Sequence, residues 1–523
     1  MVAVTRVLLT VAVVHNFLTV GRGDGRISSG NRYSPEWSIH QSARTGTRPR
    51  FEEAVRKVTR LLYADSPQTS FWLTARLPKI YIYDTLEPAW SDLTNISVGT
   101  ERKFGVAGMG ENYTGCSWFP HICDKKQQGV PLSPKAAKYV KYKNDFMVDV
   151  AFLNWFERYP YRTWNVSRAD LFLVPYPHRS HCFSRFDFSR NRGATPPQEI
   201  REQVHEKLTY LSMYPERHLY LHGGGWGEGV LLTQSIDMSN KMTLSLGPGV
   251  PCRNRFDRPC GHFTQPNVDV RTAYQPPAVQ DRRTEEWWVY RSRVLAVGAR
   301  MGATPAMKMR WAMSMNVSRF IPEVIGDLPT QVTLTRNRGQ VMSAQFANMS
   351  IEELYESSHF CLILPGDEQW QKRFFDVMLN GCIPLVPYFF PSLEKEYPTF
   401  FQWSGRDSIR LIYPWHKGTF FGDEGAGIDF MDLVLSYNGT CQTCVAATVE
   451  WALQNMTEIY RLRRNIMKFV QLFTFGLDDN MYHYSDGFTA TLVSLRHYVH
   501  SLDGELPGNV TNQTFGASPR RGE

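Results

Sequence analysis

The chain has 523 residues, 42% of them apolar and 21% charged, with a formal net charge of +8. That length exceeds what one hydrophobic core supports and calls for two domains of about 150 to 250 residues each, with disorder confined to the ends. The modest charge surplus contains no block of five or more like charges, which argues against a nucleic-acid partner and for a local anionic ligand.

Residues 1–20 place Arg6 ahead of an apolar run from Val7 to Val20, interrupted by His15 and Asn16. This reads as a secretory address, either a cleaved signal peptide or a retained type II signal anchor, since the run is short of the roughly 20 residues that span a bilayer comfortably. Residues 21–50 are polar and glycine-rich and are expected to form a stem or disordered lead-in. A helix is predicted over 51–63, where Val55, Val58, Leu61 and Leu62 recur at helical spacing.

Lumenal exposure is supported by nine N-x-S/T sequons, at Asn95, Asn112, Asn165, Asn316, Asn348, Asn438, Asn455, Asn509 and Asn512. In such a compartment cysteines pair. Proximity suggests Cys116 with Cys123 and Cys252 with Cys260, while "CQTC" at Cys441 and Cys444 reads as a local loop staple. Cys361, inside "FCLIL", reads as a buried inert thiol.

Strand candidates "KIYIY" (79–83), "DLFLVPY" (170–176) and "RHLYLHG" (217–223) alternate with helical patterns. One of these helices is expected over 197–215, with Ile200, Val204, Leu208 and Leu211 on one face. A proline-rich span at 266–287 marks a boundary, and the rhythm restarts with "RVLAVG" (293–298), "QVTLT" (331–335), "HFCLILP" (359–365) and "CIPLVPY" (382–388). Two parallel sheets covered by helices follow: an N-terminal Rossmann-like domain over 51–275 and a C-terminal one over 276–505, with a disordered tail at 506–523. The closing helices at 446–475 and 486–502 are candidates to pack back onto the first domain.

The most informative stretch is 350–390. Ser350 and Glu353 form a capping box, and "HFCLILP" has the continuous apolar character of a buried parallel strand. After a turn at Gly366, a helix presents Trp370, Phe374, Val377 and Met378 on its apolar face and ends at Gly381. Lys372, Arg373 and Asp376 cluster on the other face. Such a cluster suits a solvated salt-bridged surface or an anion site, and its place beyond the carboxyl end of a parallel strand suits the second.

Behind another strand stands "HGGGWG", His222 to Gly227. An esterase oxyanion hole would require a G-x-S-x-G elbow, and the chain has none. A glycine loop that admits a sugar or nucleotide close to the backbone is the other reading.

These residues resemble the exostosin-like glycosyltransferases, family 47. The resemblance rests on Phe360-Cys361-Leu362, Pro365-Gly366, Arg373, Asp376 and Gly381-Cys382-Ile383-Pro384, and extends from about residue 78 to 470 through "KIYIYD" (79–84), "YPYRTWNVSRADLFLVPY" (159–176) and "RVLAVGARMGATPAMKMR" (293–310). It implies an α/β fold of GT-B type, with two Rossmann-like domains facing a cleft. The implied activity is inverting transfer from a nucleotide sugar, expected to be a UDP sugar, to a glycan or polysaccharide in the Golgi or ER lumen, in association with other glycosyltransferases. Where family members have H-D-W-G, this chain has His222, three glycines and Trp226-Gly227, so the aspartate is missing. His222 and Glu228 are then the candidate bases and Trp226 the candidate acceptor platform. No D-x-D motif is present to hold a metal. The donor site is therefore expected to use Arg300, Arg310, Gly366, Lys372, Arg373 and Asp376, with no metal and no cofactor. A secreted glycan-binding or scaffold protein with the same fold but no turnover is the alternative.

Overall fold

The computed structural model describes residues 36–83, 152, 155–156, 159–174, 208–222, 242–245, 284–302, 321–335, 349–364, 372–388, 417, 425–439, 441, 443–473 and 485–505. The chain divides into two compact units, Met1–Gly46 and Thr47–Glu523, and both sheets lie in the second. The predicted boundary near residue 275 and the tail from 506 fall outside the described residues.

Helix α1 runs from Glu36 to Leu62, so it begins within the segment expected as a stem. The short helix α2, Thr69–Thr74, follows. The first sheet comprises β1 (Ile80–Ile82), β2 (Arg162–Thr163), β3 (Leu171–Val174), β4 (His218–His222) and β5 (Met242–Ser245), all parallel, in the order β2-β1-β3-β4-β5. The second comprises β6 (Leu295–Gly302), β7 (Val324–Ile325), β8 (Leu328–Thr335), β9 (Ser358–Leu362), β10 (Ile383–Tyr388) and β11 (Leu435–Asn438). Its order is β11-β10-β9-β6-β8-β7, parallel except for the β7–β8 pair.

Leaving out the antiparallel edge strand, the two sheets have the same winding. In each, the first two strands lie in reversed order and the next three extend the opposite edge. The chain therefore changes direction between β1 and β3 and again between β6 and β9. Such a switch point opens a crevice at the carboxyl ends of its two strands, where doubly wound sheets bind ligands.

Helix α3 (Ile351–Ser357) leads into β9, and α4 (Lys372–Leu379) joins β9 to β10. The capping box is present: the Glu353 amide donates to Ser350 Oγ at 3.2 Å and the Ser350 amide to Glu353 Oε2 at 2.7 Å. Phe374, Val377 and Met378 are buried as predicted. Gly381 closes α4 with φ of +71°, its amide donating to the Met378 carbonyl; an alanine Cβ there would lie 2.5 Å from Arg293 Nη2.

Cys361 is not a free thiol. It forms a disulfide with Cys382, Cα atoms 5.9 Å apart, because β9 and β10 are register neighbours that align Cys361 with Pro384. Pro384 and Pro387 each remove one ladder donor from β10, and the disulfide cross-links the β9–β10 pair at that level. Cys441 and Cys444 form the expected local staple; Cys116, Cys123, Cys252 and Cys260 lie outside the described residues.

The helix predicted to reach Pro215 does not do so. Thr209 to Met213 form turns, and a 3-10 turn covers Pro215–Arg217. The Tyr210 amide donates to the Tyr83 hydroxyl at 3.3 Å, replacing the carbonyl partner that a continuing helix would supply.

Helices α5 (Cys444–Gln454) and α6 (Met456–Phe469) follow β11, α6 lying along β10 and a π-helical turn at Glu286–Tyr290. Helix α7, Gly487–Leu502, is buried on all sides from Gly487 to His500. It packs against the N-terminal half: Phe488 stacks on Trp155 at 5.4 Å, His497 on Trp72 at 4.5 Å, and Arg496 donates to Thr59 Oγ1 at 2.9 Å. Beyond it, Asp503 bridges Arg76 at 2.6 Å and Arg217 at 2.7 Å. Residues 486–502 thus pack against α1, α2 and Trp155. Among the described residues, no helix is long and apolar enough to cross a membrane; residues 1–20 are not among them.

Candidate functional site

The second switch point gathers the predicted donor residues that can be placed. Arg300 stands near the carboxyl end of β6, level with Thr333 on β8. Its Nη2 donates at 2.8 Å to the carbonyl of Met349, just ahead of the Ser350 cap of α3. Arg373 and Asp376 sit on α4, half-buried. Arg373 also reaches α3, where it donates to the Tyr355 hydroxyl. The segment from Met349 through α3 therefore meets both arginines. This close approach has a cause in the backbone: Gly298 on β6 lies so near Ser358 that an added Cβ would sit 2.1 Å from its hydroxyl oxygen.

Four polar groups meet between α3 and α4. Tyr355 and Glu352 are 3% and 2% exposed, and Arg373 and Asp376 complete the set. Burial pushes the Tyr355 phenol up to about 12; the Arg373 charge opposes that shift, while Asp376 and Glu352 add to it. The phenol stays protonated at physiological pH. Arg373 Nη1 is fully buried yet has no hydrogen-bond acceptor. A charged N–H withdrawn from water without a partner is costly. An anionic oxygen is the natural partner for such a donor.

Lys372 opens α4 and His222 closes β4, both fixed by backbone alone. Arg310, Gly366, Trp226 and Glu228 lie outside the described residues, as does Trp370. Of the predicted donor set, the structure places Arg373 and Asp376 near Tyr355 and Glu352, which sequence reasoning passed over, and Arg300 at the segment that leads into α3. Tyr355 follows Leu354 in an apolar helix and reads as core. Its one signal was a place on the same helical face as Glu352, three residues earlier.

Other buried arginines have a different character. Arg463 donates through Nη1 to the carbonyls of Val289 and Arg291 at 3.1 and 3.3 Å, and through Nη2 to His359 Nδ1 at 3.2 Å. Arg293 donates to the carbonyls of Glu356 and Gly381. Burial, reinforced by these two charges, lowers His359 to about 3. This cluster lies at the amino ends of β6, β9 and β10, opposite the switch-point crevice, and is structural.

Of the sequons, Asn165 and Asn455 are exposed, Asn165 accepting from the Ser167 amide at 3.0 Å. Asn438 ends β11 half-buried. Asn95, Asn112, Asn316, Asn348, Asn509 and Asn512 fall outside the described residues.

Comparison with known proteins identifies the family. The chain is 24% identical over 261 residues to a protein of Arabidopsis thaliana described as "Probable xyloglucan galactosyltransferase GT15", a match covering 46% of this chain and 50% of that relative. It thus spans about half the length of the curated relative it matches. The family model for the exostosin GT47 domain matches residues 75–398. That match takes in β1 through α4 and β10, and extends over more than half of the sequence; the chain belongs to the exostosin GT47 glycosyltransferase family.

Proposed function

We propose that the chain is an inverting glycosyltransferase that moves a sugar from a UDP sugar to a glycan or polysaccharide acceptor in the secretory pathway. The observation that carries this reading is the buried, unmatched Nη1 of Arg373, on the helix that follows β9 at a switch point. In this reading Arg373, Lys372, Arg300 and Arg310 neutralise the departing diphosphate, and Gly366 lets it approach the backbone. Asp376 accepts from the ribose hydroxyls. His222 or Glu228 removes the acceptor hydroxyl proton as that oxygen bonds to the anomeric carbon. The bond from that carbon to the diphosphate breaks and UDP leaves with the electron pair. Trp226 offers a ring face to the acceptor. The protein charges do the work of a metal in this scheme, and the chain is expected to act without one.

The name of the Arabidopsis relative makes UDP-galactose and a xyloglucan-type acceptor the first pair to assay. The sequons and disulfides suit a lumenal enzyme of the Golgi or ER, anchored or released at its N-terminus and able to associate with other transferases. Arg373→Ala is expected to lower turnover by about 10²–10³-fold, the scale for losing one preorganised donor to a developing anion. Turnover that survives the substitution undiminished rejects the clamp. A glycan-binding protein without turnover is the second reading, favoured by the aspartate missing from "HGGGWG". UDP binding with no transfer or donor hydrolysis from any UDP sugar would select it.

A further inference from the structure

The buried face of α3 contacts the clamp. Arg373 has two carboxylates in its electrostatic neighbourhood, Glu352 and Asp376, since all three act on the Tyr355 phenol. The group that takes its hydrogen bond is instead the neutral phenol of Tyr355, itself buried and fixed by the surrounding core. Nη1 itself has no partner. The guanidinium is planar and rigid, so fixing one N–H edge fixes the direction of the other. A carboxylate in the place of the phenol would hold the arginine equally well but would cancel its charge and compete with an incoming anion.

We propose that Tyr355 is a positioning residue for the donor site: its neutral hydroxyl orients the Arg373 guanidinium without neutralising it, leaving Nη1 turned to a diphosphate oxygen of the nucleotide. This inference rests on the reading of Arg373 as a nucleotide clamp.

The test is a double-mutant cycle on UDP affinity, measured by calorimetry on the full chain, with Tyr355→Phe, Arg373→Lys and the double variant. Tyr355→Phe keeps the ring and removes only the hydroxyl. It is expected to weaken UDP binding about tenfold in the wild-type background, the scale of one hydrogen bond to a charged group. In the Arg373→Lys background the same change is expected to cost less than about twofold, because the group it orients is gone. An equal loss in both backgrounds would show that Tyr355 acts independently of Arg373 and overturn the proposal. So would unchanged affinity in Tyr355→Phe while Arg373→Lys and Arg373→Ala bind poorly, a result that leaves the clamp itself standing. If Arg373→Ala binds UDP as wild type does, the clamp fails first and the positioning role with it. Tyr355→His, which keeps a ring and a neutral acceptor, provides a second variant should Tyr355→Phe not fold; affinity within about threefold of wild type supports the proposal, and a larger loss in folded protein contradicts it.

Discussion

At the amino edge of the six-stranded sheet, Arg463 spends both ends of its guanidinium on fixed partners, two carbonyls and a histidine. At the carboxyl edge, Arg373 gives one edge to a tyrosine and keeps Nη1 buried and unmatched. Both arginines withdraw N–H groups from water, and only Arg463 has its terminal donors met within the chain. Burial by itself does not mark a ligand site: Arg463 also leaves its Nε unmatched, but on the inner side of a group whose tip is tied down. What separates the two is the loose tip at a switch point. A cation that finishes the fold has its terminal donors satisfied by backbone, whereas a cation that serves a ligand holds one back.

The sharpest way to break this comparison is to remove the structural arginine. Arg463→Ala strands two buried carbonyls and is expected to cost about 3–5 kcal/mol of stability, or to prevent folding. Chemical denaturation measures it, and a cost below about 1 kcal/mol would mean the amino-edge cluster is not structural.

Next in size is the cross-link. Cys361→Ala with Cys382→Ala opens a disulfide across 21 residues and is expected to cost about 3 kcal/mol on the chain-entropy scale. A thermal midpoint equal to wild type would contradict that. The loop so released carries Arg373, so the double variant also asks whether the clamp depends on this tether.

Acid provides the most selective probe. His359 is lowered to about 3 by burial and by Arg463 and Arg293; His497 is lowered to about 3 by burial and by Arg496 and His500. Both stay neutral in the folded state while the unfolded chain takes up protons below about pH 6.5. Their contribution is complete above that value and is lost as pH falls toward 3. The slope approaches about 1.4 kcal/mol per pH unit for each histidine. Denaturation midpoints at pH 7 and pH 5 measure the loss, and equal midpoints would show that neither group is buried neutral.

Much of the architecture was legible in the sequence because it is written in local periodicity. The strand runs, the Ser350–Glu353 box and the Gly381 stop each depend on neighbours a few residues away. What escaped the reading depends on distant partners. Cys361 looked like an apolar filler because nothing local says that Cys382 returns on the adjacent strand. The stretch from 208 toward Pro215 is not helical, and the Tyr210 amide goes to the hydroxyl of Tyr83, far upstream. The docking of α7 through Arg496 and His497 onto Thr59 and Tyr63 joins residues more than 430 positions apart. For the site, charge and spacing pointed to Arg373 and Asp376. They could not show Tyr355, a residue whose part is visible only when α3 and α4 are packed together.

The most direct measurement is a crystal structure of the chain with UDP bound. The account predicts a diphosphate oxygen within hydrogen-bonding distance of Arg373 Nη1, with the Tyr355 hydroxyl still bonded to the guanidinium. UDP bound elsewhere on the molecule, with Nη1 still buried and unmatched, would contradict it.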